Sequence, residues 1–182
     1  MNLANRLTLA RIFLVPIFMI FLLVRIPYGQ YIAAAIFIIA ASTDGLDGYI
    51  ARARNQVTKL GKLMDPLADK LLVSAALISL VEVRLVPAWV AVVIIGREFA
   101  VTGLRTIAAS EGLIISASKL GKWKTVSQII AIVALILNDF FIAQINFSLG
   151  LIALYVAVFF TVLSGIDYFL KAWKELKMDK DK

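Results

Sequence analysis

The chain has 182 residues, a formal net charge of +7 and 62% hydrophobic residues, enough length for one domain and short for two. Its mean hydropathy of +0.92 exceeds what a soluble fold can bury, because soluble domains run at roughly 45–50% apolar. The absence of Cys excludes disulfides and thiolate chemistry, and the absence of His removes the commonest general base and transition-metal ligand.

Any metal must therefore be held by oxygen, which favours Mg²⁺, Mn²⁺ or Ca²⁺. The positive charge on so apolar a chain points to anionic lipid headgroups, and no nucleic-acid partner is expected. The expectation is an all-α integral membrane protein, one domain over residues 1–182.

A membrane span needs about 20 residues. Six are predicted, over 6–25, 31–53, 60–82, 86–109, 119–138 and 146–170. The breaks fall at Pro27 to Gly29, Arg54 to Thr58, Glu82 to Val86, Ser110 to Ser118 and Asn138 to Gln144. The first apolar run lacks a small-residue cleavage site, so it is expected to stay as a span. The residues from Lys171 on are expected to form a short charged tail, a solvated helix end.

With the N-terminus inside, Arg25 and Arg84 fall on the outer side, leaving 17 of the 19 Lys and Arg residues inside. The bias of basic residues then puts both termini in the cytoplasm. The spans are also polar in one half only. Span 1 starts with Asn5, Arg6, Thr8 and Arg11, and span 2 ends with Asp44, Asp47 and Arg52. Span 3 starts with Gly61, Lys62, Asp65, Asp69 and Lys70. Span 4 ends with Arg97, Glu98 and Arg105. Span 5 starts with Lys119, Lys122 and Lys124, and Asp167 lies near the end of span 6. Every polar half falls on the cytoplasmic side. Polar side chains at membrane depth need one another or water, so a six-helix bundle with a cavity open to the cytoplasm is expected.

The sharpest feature is the stretch from Asp44 to Asp69. Its four aspartates come in two pairs, spaced i,i+3 and i,i+4, on consecutive spans joined by a turn. Residues three or four apart share a helix face, and consecutive helices pack as neighbours, so the carboxylates can converge. Four ionised carboxylates repel unless cations lie between them. Two divalent metals would neutralise them, an arrangement suited to phosphoryl transfer. Gly48 and Gly61 would admit a ligand to the backbone, Arg52 could fork onto a phosphate, and Pro66 should bend span 3 beside Asp65.

The stretch resembles the signature of the CDP-alcohol phosphotransferases, D-x2-D-G-x2-A-R-x8-G-x3-D-x3-D, at Asp44, Asp47, Gly48, Ala51, Arg52, Gly61, Asp65 and Asp69. The resemblance implies six transmembrane helices, a homodimer, two Mg²⁺ or Mn²⁺ ions, and displacement of CMP from a CDP-linked donor by an alcohol. It implies Asp44, Asp47, Asp65 and Asp69 as metal ligands, with Asp69 also the general base. Gly48, Ala51, Arg52 and Gly61 would line the cytidine-diphosphate site.

A second polar group runs G-R-E-F-A-V-T-G-L-R from Gly96 and S-K-L-G-K-W-K-T from Ser118. Arg97 and Arg105, eight apart, are expected on one face. Lys119, Lys122 and Lys124 crowd a helix start, where an anion is favoured. A phosphate on the acceptor would explain this charge. These stretches, and the chain from Asn5 to Ser164 at large, resemble the bacterial phosphatidylglycerophosphate synthases, with Ala4 where that group usually has Pro.

That resemblance implies CDP-diacylglycerol as donor and sn-glycerol 3-phosphate as acceptor, at the bacterial cytoplasmic membrane and among its lipids. Inositol phosphate, serine or phosphatidylglycerol is the alternative acceptor. A divalent cation transporter is the alternative of another class, disfavoured because the outer halves of the spans offer no polar route.

Overall fold

The computed structural model describes residues 3–24, 26–53, 59–112, 118–145 and 147–180; within its helices, side chains are described except at 3–4, 44–53, 59–66, 145 and 174–180. The described residues form seven helices and no strand. They are α1 (Leu3–Leu23), α2 (Gly29–Ala53), α3 (Lys59–Glu82), α4 (Ala88–Ser110), α5 (Lys119–Ile136), α6 (Asn138–Ile145) and α7 (Leu149–Lys180). Five of them follow the predicted spans to within a few residues, and α7 starts within the sixth and runs ten residues past its predicted end.

The helix ends follow from local chemistry. Arg84 takes a left-handed φ of 61° just after α3. Its N–H bonds to the Val81 carbonyl and that of Leu85 to the Leu80 carbonyl, the Schellman pattern that satisfies the last carbonyls of a helix. Pro87, extended at φ −63° and ψ 136°, then precedes α4, where a missing N–H costs nothing. Ser118 caps α5, its hydroxyl accepting from the Gly121 N–H at 3.1 Å.

The inward faces change character along each helix. On α1, Thr8, Arg11, Val15 and Phe18 are all buried, and their 3-4-3 spacing makes one stripe. The apolar end of that stripe packs Phe18 on Phe37 of α2, with ring centroids 5.8 Å apart. Ala33, Ala34 and Ala40 of α2 and Leu72, Ala76 and Leu80 of α3 complete that layer with Val90 and Ile94 of α4. α1 packs more extensively on α2 and on α3 than those two pack on each other.

α5 pairs closely with α7. A Cβ on Gly150 would lie 2.9 Å from Leu135 Cδ2 and 3.1 Å from the Ala134 carbonyl, so glycine sets that approach.

The distribution of polarity is inverted relative to a soluble protein. Arg11, Thr8, Lys124, Gln128, Thr161 and Ser164 are buried, while Phe13, Val92, Phe159 and Leu170 are exposed. Large apolar side chains so widely exposed around an interior that holds charged and polar groups beside its apolar layer are what a hydrocarbon solvent requires. α1 and α7 contain stretches, Asn5–Leu23 and Leu149–Trp173, long and apolar enough to cross a membrane. The chain is an all-helical, multi-pass membrane protein.

One expectation is corrected. Residues 138–144 are not a simple break: they form α6, bent 69° from α5. Asn138 accepts a bond from the Ser148 hydroxyl at 2.7 Å, and Asp139 stands in the first turn of α6, where negative charge is favoured. The charged residues beyond Lys171 continue α7 to Lys180, the helix end expected of them. Lys171 bonds Asp167 at 2.8 Å in an i,i+4 pair.

Candidate active site

A cavity of about 220 Å³ opens between α1, α2, α3, α4 and α5. Each helix delivers residues to it by register. α1 contributes Arg11, α2 contributes Ala40 and Ala41, and α3 contributes Asp69, Lys70, Leu72 and Val73. α4 contributes Glu98, and α5 contributes Lys124, Thr125, Gln128 and Ile129. Three cations and two carboxylates thus share a small, partly enclosed volume. Arg11 is only 1% exposed. Ionic groups there interact more strongly than in water because solvent screens them less.

The contacts sort the basic residues of the second polar group. Lys124 Nζ is ion-paired with Glu98, with side chains 8% and 13% exposed. Glu98 also pairs with Arg97 at 3.2 Å. Arg97 then turns away toward α7, donates to the Ser164 hydroxyl, and lies over the Tyr168 ring at 5.6 Å, a cation–π contact. Gly165 makes room for it, since a Cβ there would come 3.3 Å from Arg97 Cγ. Tyr168 in turn accepts from the Ser118 N–H at 3.1 Å, so α7 pins the start of α5. Farther along, Gln128 donates to the Thr161 hydroxyl at 3.0 Å.

Arg97 is therefore not among the residues lining the cavity, and it does not share a face with Arg105. At 3.6 residues per turn, eight positions leave a turn of about 80°. Arg97 belongs to the stripe of Val101, Leu104 and Ala108 facing Tyr168 and Ala172. Arg105 is exposed and follows Glu98 by two turns, and Lys119 and Lys122 are exposed as well. Of the five residues expected to meet an acceptor phosphate, Lys124 alone reaches the described cavity lining.

Of the aspartates, Asp69 lines the cavity. The side chains of Asp44, Asp47, Gly48, Ala51, Arg52, Gly61, Asp65 and Pro66 lie outside the described residues. α2 and α3 do run through these positions. Position 44 follows the cavity-lining Ala40 by one turn, and position 65 precedes Asp69 by one turn. Among the described residues no three carboxylates gather. The donors that the chain can offer here are oxygen alone, since it has no Cys or His. That donor set fits hard divalent cations.

The family model for CDP-alcohol phosphatidyltransferase matches residues 1–163 of the chain. A CDP-diacylglycerol–glycerol-3-phosphate 3-phosphatidyltransferase of Bacillus subtilis is 53% identical, over 97% of each chain.

The chain belongs to the CDP-alcohol phosphatidyltransferase family.

Another relative of the same name, from Rickettsia bellii, is 39% identical over 96% of both chains. A probable phosphatidylglycerophosphate synthase of Mycobacterium tuberculosis is 38% identical over 96% of this chain and 83% of its own. Membership of the CDP-alcohol phosphatidyltransferase family makes this chain a transferase and displaces the transporter alternative.

Three charged cavity residues, Arg11, Lys70 and Glu98, were read from sequence as parts of the inward polar halves but given no part in the site. Arg11 could have been found from its place three residues after Thr8 on an otherwise apolar helix, because a charge at membrane depth faces inward. Glu98 could have been weighed as the counter-charge of Lys124, since a buried cation needs one.

Proposed function

We propose that this chain transfers the phosphatidyl group of CDP-diacylglycerol to sn-glycerol 3-phosphate, giving phosphatidylglycerol phosphate and CMP. The observation that carries the reading is the cavity in which Asp69 faces Lys124, Arg11 and Lys70. A carboxylate of the transferase signature there meets the cations that an anionic acceptor needs. The printed activity of relatives matched over nearly their full length supports it.

Asp44, Asp47, Asp65 and Asp69 are the residues that would hold two Mg²⁺ or Mn²⁺ ions. When bound, such ions neutralise the carboxylates and polarise the donor's pyrophosphate. Asp69 takes the proton from the C1 hydroxyl of glycerol 3-phosphate, whose oxygen attacks the β-phosphorus as CMP leaves. Arg52, Gly48, Ala51 and Gly61 bind the cytidine diphosphate portion.

Lys124, with Arg11 and Lys70, holds the acceptor's phosphate at a fixed distance from Asp69. This orients the hydroxyl and converts encounter into positioning. Arg105, Lys119 and Lys122 attract the anion or nearby headgroups from exposed positions. Arg97 works one step behind, as a strut.

The same reading makes residues 1–182 one domain and gives it six spans, with α5 and α6 as one broken span. Both termini and the cavity are on the cytoplasmic side of the bacterial cell membrane, and two copies form a homodimer. The bias of basic residues supports the orientation.

The test is an acceptor panel with purified protein in detergent. Chain, CDP-diacylglycerol and Mg²⁺ are given glycerol 3-phosphate, inositol phosphate, serine or phosphatidylglycerol in turn. CMP release should depend on glycerol 3-phosphate. Preferential transfer to any of the others overturns the acceptor assignment.

A further inference from the structure

Glu98 is the cavity carboxylate to which the reaction above gives no part. It stands outside the aspartate series, yet lines the same cavity as Asp69. Its two cationic partners differ in kind. Arg97 is anchored from behind by the Ser164 hydroxyl and the Tyr168 ring, and it pairs with Glu98 at 3.2 Å. Lys124 meets Glu98 at the cavity itself, where both side chains form part of the lining. A carboxylate held on one cation and bonded to a second presents what a phosphate presents to the same groups: paired anionic oxygens accepting charge-assisted bonds.

We propose that Glu98 is a resident stand-in for the anionic group of the acceptor. It neutralises Lys124 while no acceptor is bound, and an arriving phosphate takes Lys124 over from it. The inference rests on the reading of this cavity as the acceptor-phosphate site and sets that site's affinity.

The physical need is plain. A lysine whose side chain is 8% exposed is costly without a counter-charge, and Glu98 supplies one that can be exchanged. A phosphate monoester carries about −1.5 to −2 charge at pH 7 and can replace a single carboxylate. An uncharged alcohol or water brings nothing to exchange, so Lys124 stays on Glu98. Glu98 is thus an affinity-setting residue: it keeps Lys124 neutralised while the site is empty and weakens the binding of every anion, its own acceptor included, so that the acceptor is held less tightly than the bare cation would hold it. Arg97 is the positioning residue that keeps the carboxylate in reach.

The experiment uses the full chain in detergent. The affinity for inorganic phosphate is measured by calorimetry and KM for glycerol 3-phosphate by CMP release, in wild type, Glu98→Gln, Glu98→Asp and Lys124→Met. Glu98→Gln keeps the shape and removes the competing charge. It should tighten phosphate binding and lower KM for glycerol 3-phosphate by about three- to tenfold, the range of a partly buried ion pair. Glu98→Asp withdraws the carboxylate by one methylene and should shift both the same way by less. If Glu98→Gln does not elute as a folded species, Glu98→Asp decides alone.

Phosphate binding that is unchanged or weaker in the folded variants overturns the stand-in. Lys124→Met separates the two readings. A raised KM there, with no tightening in the Glu98 variants, sinks the stand-in only. An unchanged KM there sinks the acceptor-phosphate site itself.

Discussion

Arg97→Met separates a strut from a ligand. Methionine keeps the alkyl stem that packs over Gly165 and removes the guanidinium. The losses are the ion pair with Glu98 at 3.2 Å, and behind it the charged bond to Ser164 and the cation–π contact with Tyr168 at 5.6 Å, the last two being the strut. A hydrogen bond to a charged group contributes about 1.5–3 kcal/mol and the cation–π contact about 0.5–2, together about 2–5 kcal/mol. The side chain is 11% exposed, so solvent screening takes little of this away. Glu98 retains Lys124, so the cavity keeps its charges.

The assay pairs reversible unfolding in mixed micelles with steady-state kinetics in one preparation. Stability should fall by that amount, while KM for glycerol 3-phosphate stays within about threefold, under 1 kcal/mol. Undiminished stability with KM raised about tenfold or more, at least 1.4 kcal/mol, would make Arg97 an acceptor ligand and refute the strut.

Three further outcomes follow from the same account. Asp69→Asn should lower turnover by about 10²–10⁴-fold, the usual contribution of a general base, with unchanged helical circular dichroism; wild-type rates in that variant remove Asp69 from the proton transfer. Gly150→Ala should lower the unfolding midpoint, because its Cβ would meet Leu135 and Ala134 within 3.1 Å and overpacking costs about 1–3 kcal/mol; an unmoved midpoint argues against the close α5–α7 approach. Chelation should stop CMP release and added Mg²⁺ or Mn²⁺ should restore it, whereas turnover that survives chelation contradicts the oxygen-only metal site.

The proposed metal site could be put forward from sequence because its residues sit in one contiguous stretch at fixed helical spacing, of which the structure places Asp69 at the cavity. Asp44 to Asp69 can be read without knowing which helices meet, since the two elements involved are consecutive in the chain. The six long helices were legible for a similar reason, as apolar runs of span length bounded by Pro, Gly and charge. Rotation about the axis was not.

Whether Arg97 or Glu98 points at the cavity depends on α4 packing against α7, a contact between elements distant in sequence. One residue of rotation exchanges a ligand for a strut. The same holds for Arg11, which shares the cavity with residues of four other helices. α6 was missed because eight residues of N-D-F-F-I-A-Q-I are too short for periodicity to speak against the Asn and Asp that suggest a turn.

The central claim is that one cavity joins the signature carboxylates to the cation that receives the acceptor's phosphate. Lys124→Met tests it most directly, with both Michaelis constants measured on one preparation. The account predicts that KM for glycerol 3-phosphate rises by about ten- to a hundredfold, the loss of one charge-assisted bond, while KM for CDP-diacylglycerol stays where it is. An equal rise in both constants, or no rise in either, would contradict it.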